Sequence, residues 1–161
     1  MRDDLLDKTL EVISRFNDEG VEYVVIGAVA LNLHGLIRAT EDLDVFVRPQ
    51  ADNIASLRRA LKRVWDDPEI DLITAEDLCG DYPAVRYGPP DDSLPLDILT
   101  RLGELFHYDD LTSEQIEIEG VLVTVVTPPM LLKMKAGTVR PQDRVDVLAL
   151  RQAFDIKPEE S

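Results

Sequence analysis

Two apolar runs in the first third of the chain constrain the fold most strongly. The run VEYVVIG, residues 21–27, is rich in β-branched residues and ends at a glycine, which predicts a buried strand followed by a tight turn. The run DLDVFV, residues 42–47, predicts a second strand, which Pro49 ends. The segment AVALNLHG between them has the length of a short helix that Gly35 closes. Strand, helix and strand in such close succession indicate an α/β chain.

The rest of the sequence continues this alternation. Apolar residues at helical spacing predict a first helix over residues 4–17 and a further helix from Asp52. LPLDILT predicts a third buried strand, and QIEIEGVLVTVVTP predicts two short strands around Gly120. Two segments with a proline at or near their start, PPMLLKMKAG and RPQDRVDVLALRQAF, predict the last two helices.

The length and composition fit one folding unit. A chain of 161 residues with 45% apolar residues can bury a single good core, so we predict one domain over residues 1–161. Its tail, residues 155–161, is predicted to fray. The acidic, proline-containing stretch at residues 66–93 predicts mobile loops and short strands, with apolar pieces at 70–73 and 85–87.

Charge and cysteine content narrow the function classes. The formal net charge of −15 repels phosphate backbones, which disfavours broad capture of nucleic acid. The single cysteine, Cys79, excludes an internal disulfide framework. No apolar run approaches the roughly 20 residues of a membrane helix, so we expect a cytoplasmic protein with no membrane partner. The dense basic patch after Asp52 is either a solvated face or a dock for an acidic partner or RNA: Arg58, Arg59, Lys62 and Arg63.

The acids within the strands point to chemistry. Side chains alternate along DLDVFV, so Asp42 and Asp44 face the same side, where two like charges are costly unless a cation neutralises them. Oxygen-only ligands favour Mg²⁺. Asp97, the lone acid inside LPLDILT, is a natural third ligand. Three such acids can hold two ions about 3.5 to 4 Å apart, an arrangement that serves phosphoryl or nucleotidyl transfer. The alternatives are a solvated strand edge for the pair and a water-facing strand end for Asp97.

The turn after the first strand supplies a candidate phosphate contact. In IGA, small residues join a strand to a helix, where free backbone N–H groups can receive phosphate and Gly27 permits close approach. A glycine in this place also has many purely structural uses.

Together these residues resemble the nucleotidyltransferase superfamily, which shares its palm-like fold with DNA polymerase β. The closer resemblance is to a small bacterial and archaeal branch related to AbiEii-type toxin-associated transferases, and it spans roughly Tyr23 to Leu150. Ala28 departs from the pattern, because the superfamily has a glycine or serine there and a serine hydroxyl is lost. The matching motifs are HG, R-x-T-x-D-x-D and K…R-P-x-D-x-x-D, which here are His34 and Gly35, then Arg38, Thr40, Asp42 and Asp44, then Lys135, Arg140, Pro141, Asp143 and Asp146.

The resemblance implies a mixed sheet flanked by helices, two Mg²⁺ ions and a nucleoside triphosphate as co-substrate, with ATP as the expected donor. It implies that Asp42, Asp44 and Asp97 hold the metals and carry catalysis. It implies nucleotide binding by Gly27, Ala28, Arg38, Thr40 and Lys135, with Arg140, Asp143 and Asp146 in support.

Several of these residues also have structural interpretations. Arg38 either holds a nucleotide phosphate or pairs with a neighbouring acid, and Thr40 fits a turn. Asp143 either acts as a base or positioning group or complements the helix dipole just after a proline. His34 fits closure of a helix.

The acceptor is not defined by the sequence. The resemblance allows a protein, a tRNA or a small molecule as acceptor, and it allows a role within a toxin–antitoxin system. The acidic charge disfavours tRNA. The alternative function is a non-catalytic binding module with the same fold, acting as a partner or antitoxin subunit.

Overall fold

A computed structural model describes residues 4–36, 38–104, 106–136 and 141–156 of the chain. Helices and strands alternate from residue 4 to residue 62, as the sequence predicts, and strands then follow one another from residue 84 to residue 126 before two final helices. The helices are α1 (Asp4–Asp18), α2 (Gly27–Leu33), α3 (Ala51–Lys62), α4 (Ala75–Leu78), α5 (Pro128–Ala136) and α6 (Pro141–Phe154). The strands are β1 (Tyr23–Ile26), β2 (Leu43–Val47), β3 (Ala84–Tyr87), β4 (Leu96–Leu99), β5 (Arg101–Leu102), β6 (Phe106–His107), β7 (Ser113–Ile118) and β8 (Val121–Val126).

A six-stranded mixed sheet forms the centre of the fold. Its strand order is β3-β4-β2-β1-β8-β7, and β5 pairs with β6 in a separate two-stranded ribbon. In the main sheet β2 runs parallel to β4 and β1 runs parallel to β8, whereas the remaining pairs are antiparallel. The predicted mixed sheet flanked by helices is confirmed.

The core is one hydrophobic cluster built on this sheet. Every residue of β1 is buried, and so is every residue of β2 except Asp44. Helix α2 packs on β1, β2 and β8, while α1 packs on α3 and β8. Because both faces of β2 are covered at its C-terminal end, its polar residues are confined to the N-terminal end, beside the start of α2.

One predicted strand is wrong. Residues 70–73 do not form a strand, because Pro68–Leu72 is a 3₁₀ helix. Pro68 opens this helix, the Asp67 carboxylate accepts a hydrogen bond from the Glu69 N–H, and Ile70 is fully buried as its anchor. A single turn buries Ile70 while its acidic neighbours stay in solvent. The predicted strand at 85–87 is confirmed within β3.

The end of the chain is only partly described. Of the tail predicted to fray, residues 157–161 lie outside the described residues. The Ile156 N–H donates to the Arg151 carbonyl, which closes α6. No helix in the described residues has the length and apolar character needed to cross a membrane.

Candidate active site

Three aspartates meet at one end of the sheet, and we call them the carboxylate centre: Asp42, Asp44 and Asp97. Strands β2 and β4 are parallel neighbours with Asp44 directly opposite Asp97, so both side chains lie on the same face. Asp42 precedes Asp44 by two residues and shares that face. The alternate residues Leu43 and Leu96 are fully buried, which fixes the register of the pair. The structure therefore brings the three acids together as the sequence predicts.

The carboxylate centre carries excess negative charge. Burial, hydrogen bonding to Asp97 and the negative charges of Asp97 and Asp42 raise the pKa of Asp44 to about 7, and the positive charge of Lys135 opposes this rise. A carboxyl group with so high a pKa is short of neutralising partners. A bound cation would supply the missing positive charge.

Gly27 follows β1 and supports Asp44 from the neighbouring strand. Its φ is +70°, and a Cβ built there would overlap the Asp44 carboxylate. Ile26 lies opposite Asp44 in the β1–β2 ladder, which brings the turn and the carboxylate together. Gly27 is therefore required for two reasons, a left-handed backbone and space for Asp44. A phosphate contact remains a prediction for Gly27 and Ala28, of which Ala28 lines a cavity of about 380 Å³ together with Asp42 and Asp44.

An arginine that the sequence analysis did not single out completes the carboxylate centre. The Arg86 guanidinium donates from Nη1 to Asp42 at 3.1 Å and to both oxygens of Asp97 at 3.1 and 3.0 Å. Its Nη2 donates to the other Asp42 oxygen at 3.2 Å. These hydrogen bonds raise the pKa of Arg86. The sequence signal is weak, because the role of Arg86 depends on its pairing opposite Asp97 across β3 and β4.

The residues predicted to support the site form a second group, the α5–α6 charge cluster: Arg38, Lys135, Asp143 and Asp146. Lys135 Nζ lies 3.1 Å from Asp143 and 3.0 Å from Asp146, and Arg38 Nε lies 3.4 Å from Asp146. The exposed fractions of the Asp143 and Asp146 side chains are only 2% and 5%. Both acids are therefore buried in ion pairs. Arg140 lies outside the described residues.

The open alternatives for Arg38 and Thr40 are partly resolved. Arg38 pairs with Asp146 rather than with Glu41 or Asp42, and its Nη1 also donates to the Ala39 carbonyl. The Thr40 hydroxyl donates to the Asp42 carbonyl at 3.0 Å, which is the predicted turn contact. Nucleotide binding by either residue remains a prediction.

The carboxylate centre lies between two cavities. One, of about 360 Å³, has an apolar wall that includes Leu131 and Met134; its polar residues are Lys135, Asp143, Asp44 and Asp97. The other, of about 650 Å³, is more polar and is bordered by Arg38, Thr40, Asp42 and Arg86 among others. The carboxylate centre therefore faces open space on two sides.

The donor set fits a hard divalent cation. Asp42, Asp44 and Asp97 offer only oxygen atoms, which Mg²⁺ prefers, and the raised pKa of Asp44 marks a local excess of negative charge. Among the described residues no group of three metal-ligating side chains is already arranged around a metal position. The Arg86 guanidinium lies between Asp42 and Asp97, and its side chain is 55% exposed.

The dense basic patch of α3 is paired within the chain. Arg58 donates to the Ile73 carbonyl, whereas Arg59 and Arg63 pair with Glu19, and Lys62 pairs with Asp71. These partners favour the solvated-face interpretation over a dock for nucleic acid.

His34 closes α2 as predicted. It is the C-cap residue of that helix, and its Nε2–H donates to the Val126 carbonyl at 2.7 Å.

Comparisons with known proteins agree with the fold. Residues 12–160 match the family model described as "Nucleotidyl transferase AbiEii toxin, Type IV TA system". The fold is similar to the crystal structure of a protein from Thermotoga maritima assigned as a nucleotidyltransferase, with a TM-score of 0.57 and 14% identity over 96% of this chain and 95% of that chain. It is also similar to an antigenic nucleotidyltransferase-like protein from Paracoccidioides brasiliensis, with a TM-score of 0.54 and 17% identity over 90% of this chain and 75% of that chain. No curated protein matches the sequence significantly. The chain belongs to the AbiEii family of nucleotidyltransferases.

Proposed function

We propose that this nucleotidyltransferase uses Mg²⁺ to transfer a nucleoside monophosphate from a nucleoside triphosphate, with ATP as the expected donor, to a hydroxyl group of an acceptor. The observation that carries the proposal is the pairing of Asp44 with Asp97 in register on parallel strands, with Asp42 beside them. Such a set of carboxylates has the chemistry of a site for Mg²⁺ and triphosphate oxygens.

The reaction would exchange one phosphorus–oxygen bond for another. An acceptor oxygen attacks the α-phosphorus, the bond between the α-phosphorus and the bridging oxygen breaks, and pyrophosphate leaves. Asp42, Asp44 and Asp97 would hold two Mg²⁺ ions, which neutralise the triphosphate and the departing pyrophosphate when bound. The Asp97 carboxylate would accept the acceptor proton.

The cationic residues near the carboxylate centre would orient the nucleotide. Lys135 lines the smaller cavity beside Asp44 and is only 11% exposed. Its ion pairs with Asp143 and Asp146 hold the ammonium group in a fixed position. A fixed charge loses little conformational entropy when a phosphate arrives, which favours positioning. Arg38 borders the larger cavity and is held by Asp146 in the same way.

The charge distribution favours a protein acceptor over tRNA. The net charge of −15 repels a phosphate backbone, and the basic residues of α3 are paired within the chain. The family description names a toxin of a type IV toxin–antitoxin system. We therefore propose that the chain works with a toxin–antitoxin partner protein.

Label transfer tests the proposal. The purified chain is incubated with Mg²⁺, total tRNA or total cell protein, and each triphosphate labelled at the α- or the γ-phosphate. The α-label should become covalently attached to one acceptor, the γ-label should not, and Asp44→Asn should abolish the labelling. Transfer of the γ-label would indicate a kinase, and free monophosphate without a labelled acceptor would indicate a hydrolase. The absence of any reaction with every triphosphate and acceptor would favour the non-catalytic binding module.

A further inference from the structure

One arginine engages two of the proposed metal ligands. The Arg86 guanidinium contacts all four carboxylate oxygens of Asp42 and Asp97 at 3.0 to 3.2 Å, and its Nη1 is shared between the two acids. Asp42 immediately precedes β2 and Asp97 lies in β4, so the guanidinium joins the start of β2 to β4. It lies where a metal ion bridging these carboxylates would have to lie.

Strand pairing builds this contact. Arg86 lies opposite Asp97 in the β3–β4 ladder, and Asp97 lies opposite Asp44 in the β4–β2 ladder. The next residue, Tyr87, is buried and its hydroxyl donates to Asp67 at 2.7 Å, which anchors the end of β3. The Arg86 backbone is therefore fixed, whereas its side chain is 55% exposed and can turn into solvent without disturbing the core.

We propose that Arg86 is an exchangeable counter-ion, which holds the Asp42 and Asp97 carboxylates together in the metal-free enzyme and gives up its place to Mg²⁺. This inference rests on the proposed function, because it takes the two acids as metal ligands. The guanidinium occupies the lone pairs that face the space between the two acids, and its positive charge repels a second cation placed in that space. Metal binding must therefore break these hydrogen bonds, and Arg86 positions the ligands at the expense of metal affinity.

Metal titration of Arg86 variants tests the exchange. Binding of Mg²⁺ and of Mn²⁺ is measured by calorimetry, and thermal unfolding is measured with and without each ion, for the wild type, Arg86→Gln and Arg86→Lys. Without competition from the guanidinium, Arg86→Gln should bind Mg²⁺ with a Kd about 3- to 10-fold lower than the wild type. Its melting temperature in chelator should be lower, because Asp42 and Asp97 lose their counter-ion. The Kd and the melting temperature of Arg86→Lys should lie between those of the wild type and Arg86→Gln, since an ammonium group cannot engage both acids as a planar guanidinium does.

Two further variants distinguish the effect of Arg86 on Mg²⁺ affinity from the effect of a change in net charge. Arg59→Gln removes the same charge from an arginine of similar exposure, 59%, that pairs with Glu19 on another part of the surface. It should change the Kd for Mg²⁺ by less than about twofold at physiological ionic strength. Asp44→Asn should lose specific metal binding, which identifies the ions bound at the carboxylate centre rather than elsewhere on an acidic surface.

The outcomes distinguish the exchange from the function on which it rests. If metal binding requires Asp44 but Arg86→Gln binds no more tightly than the wild type, the exchange is wrong and the metal site stands. If Asp44→Asn binds metal as the wild type does, the proposed metal site is wrong, and the proposed exchange is then wrong as well. A lower Kd in Arg86→Gln, and not in Arg59→Gln, would establish Arg86 as the counter-ion.

Discussion

The carboxylate centre and the α5–α6 charge cluster are neighbouring groups of aspartates with opposite charge balance. In the cluster, Asp143 and Asp146 have Lys135 and Arg38 as partners, so the charges of these described residues cancel. In the carboxylate centre, Arg86 pairs with Asp42 and Asp97, whereas burial and the two neighbouring acids raise the pKa of Asp44 to about 7. A group of acids whose charges are neutralised stabilises the fold, whereas a group with excess negative charge favours the binding of a further cation. The balance of charge, rather than the number of acids, therefore distinguishes the structural α5–α6 charge cluster from the carboxylate centre.

The largest effect should come from removing an acid of the carboxylate centre. Asp97→Asn keeps the shape of the side chain and removes one charge, so we expect the rate of nucleotide transfer to fall about 10³-fold or more. Initial rates of α-label transfer measure this. Asp71→Asn is the matched control, because Asp71 is a surface acid paired with Lys62, and its rate should stay near that of the wild type. Similar rates for both variants would remove Asp97 from the catalytic group.

The next largest effect should come from breaking the balanced cluster. Lys135→Met leaves two buried aspartates without their shared ammonium group, so we expect a loss of about 3 to 5 kcal/mol in the free energy of unfolding. Urea unfolding measures this. Asp109→Asn breaks an exposed pair with Arg48 and should cost less than about 1 kcal/mol. Equal losses in the two variants would show that burial does not distinguish the cluster.

Alanine substitutions at two glycines test whether the Asp44 carboxylate leaves no room for a Cβ at position 27. Gly27 and Gly20 have φ values of +70° and +69°, but only at Gly27 would a Cβ meet the Asp44 carboxylate. Gly20→Ala should lose about 1 kcal/mol for the left-handed backbone, and Gly27→Ala about 2 to 3 kcal/mol. Denaturant unfolding of both proteins gives the difference. A Gly27→Ala variant no less stable than Gly20→Ala would contradict the close packing of Gly27 on Asp44.

The smallest effect should be the pH dependence of Asp44. Its pKa is raised from 3.8 to about 7 in the folded state, so the folded protein holds this proton more tightly than the unfolded chain does. The resulting stability is present at low pH and is lost as pH rises from about 4 through 7. Asp44→Asn should therefore be more stable than the wild type by about 1 to 2 kcal/mol at pH 8, and the difference should shrink toward pH 5.

Unfolding of both proteins at several pH values, in chelator, measures this difference. A gap that does not change between pH 5 and pH 8 would contradict the charge imbalance at Asp44.

The juxtaposition of the three acids could be predicted from the sequence because their positions depend on local patterns. A lone acid in an apolar run is conspicuous, as Asp97 is in LPLDILT, and alternation alone places Asp42 and Asp44 on one face. The strand that ends at Ile26 and the short helix after it follow from β-branched residues and a glycine. These features of the fold and the candidate site were accessible from the sequence.

The contacts of Arg86 and the 3₁₀ helix could not be predicted from the sequence, because both depend on packing between distant segments. The contacts of Arg86 depend on the register of β3 against β4, which is set by packing between distant segments. Ile70 lies in a short apolar piece that fits a strand as well as a helical turn, and its burial decides between them. The pairing of Arg38 with Asp146 likewise joins residues more than 100 positions apart.

A crystal structure with Mn²⁺ and an α,β-methylene analogue of ATP would test the central claim most directly. The carbon bridge blocks cleavage between the α- and β-phosphates, and anomalous scattering locates manganese without ambiguity. We expect manganese coordinated by carboxylate oxygens of Asp42, Asp44 and Asp97, the triphosphate beside it, and the Arg86 guanidinium turned away from Asp42 and Asp97. Manganese bound elsewhere, with Arg86 still joining Asp42 to Asp97, would contradict it.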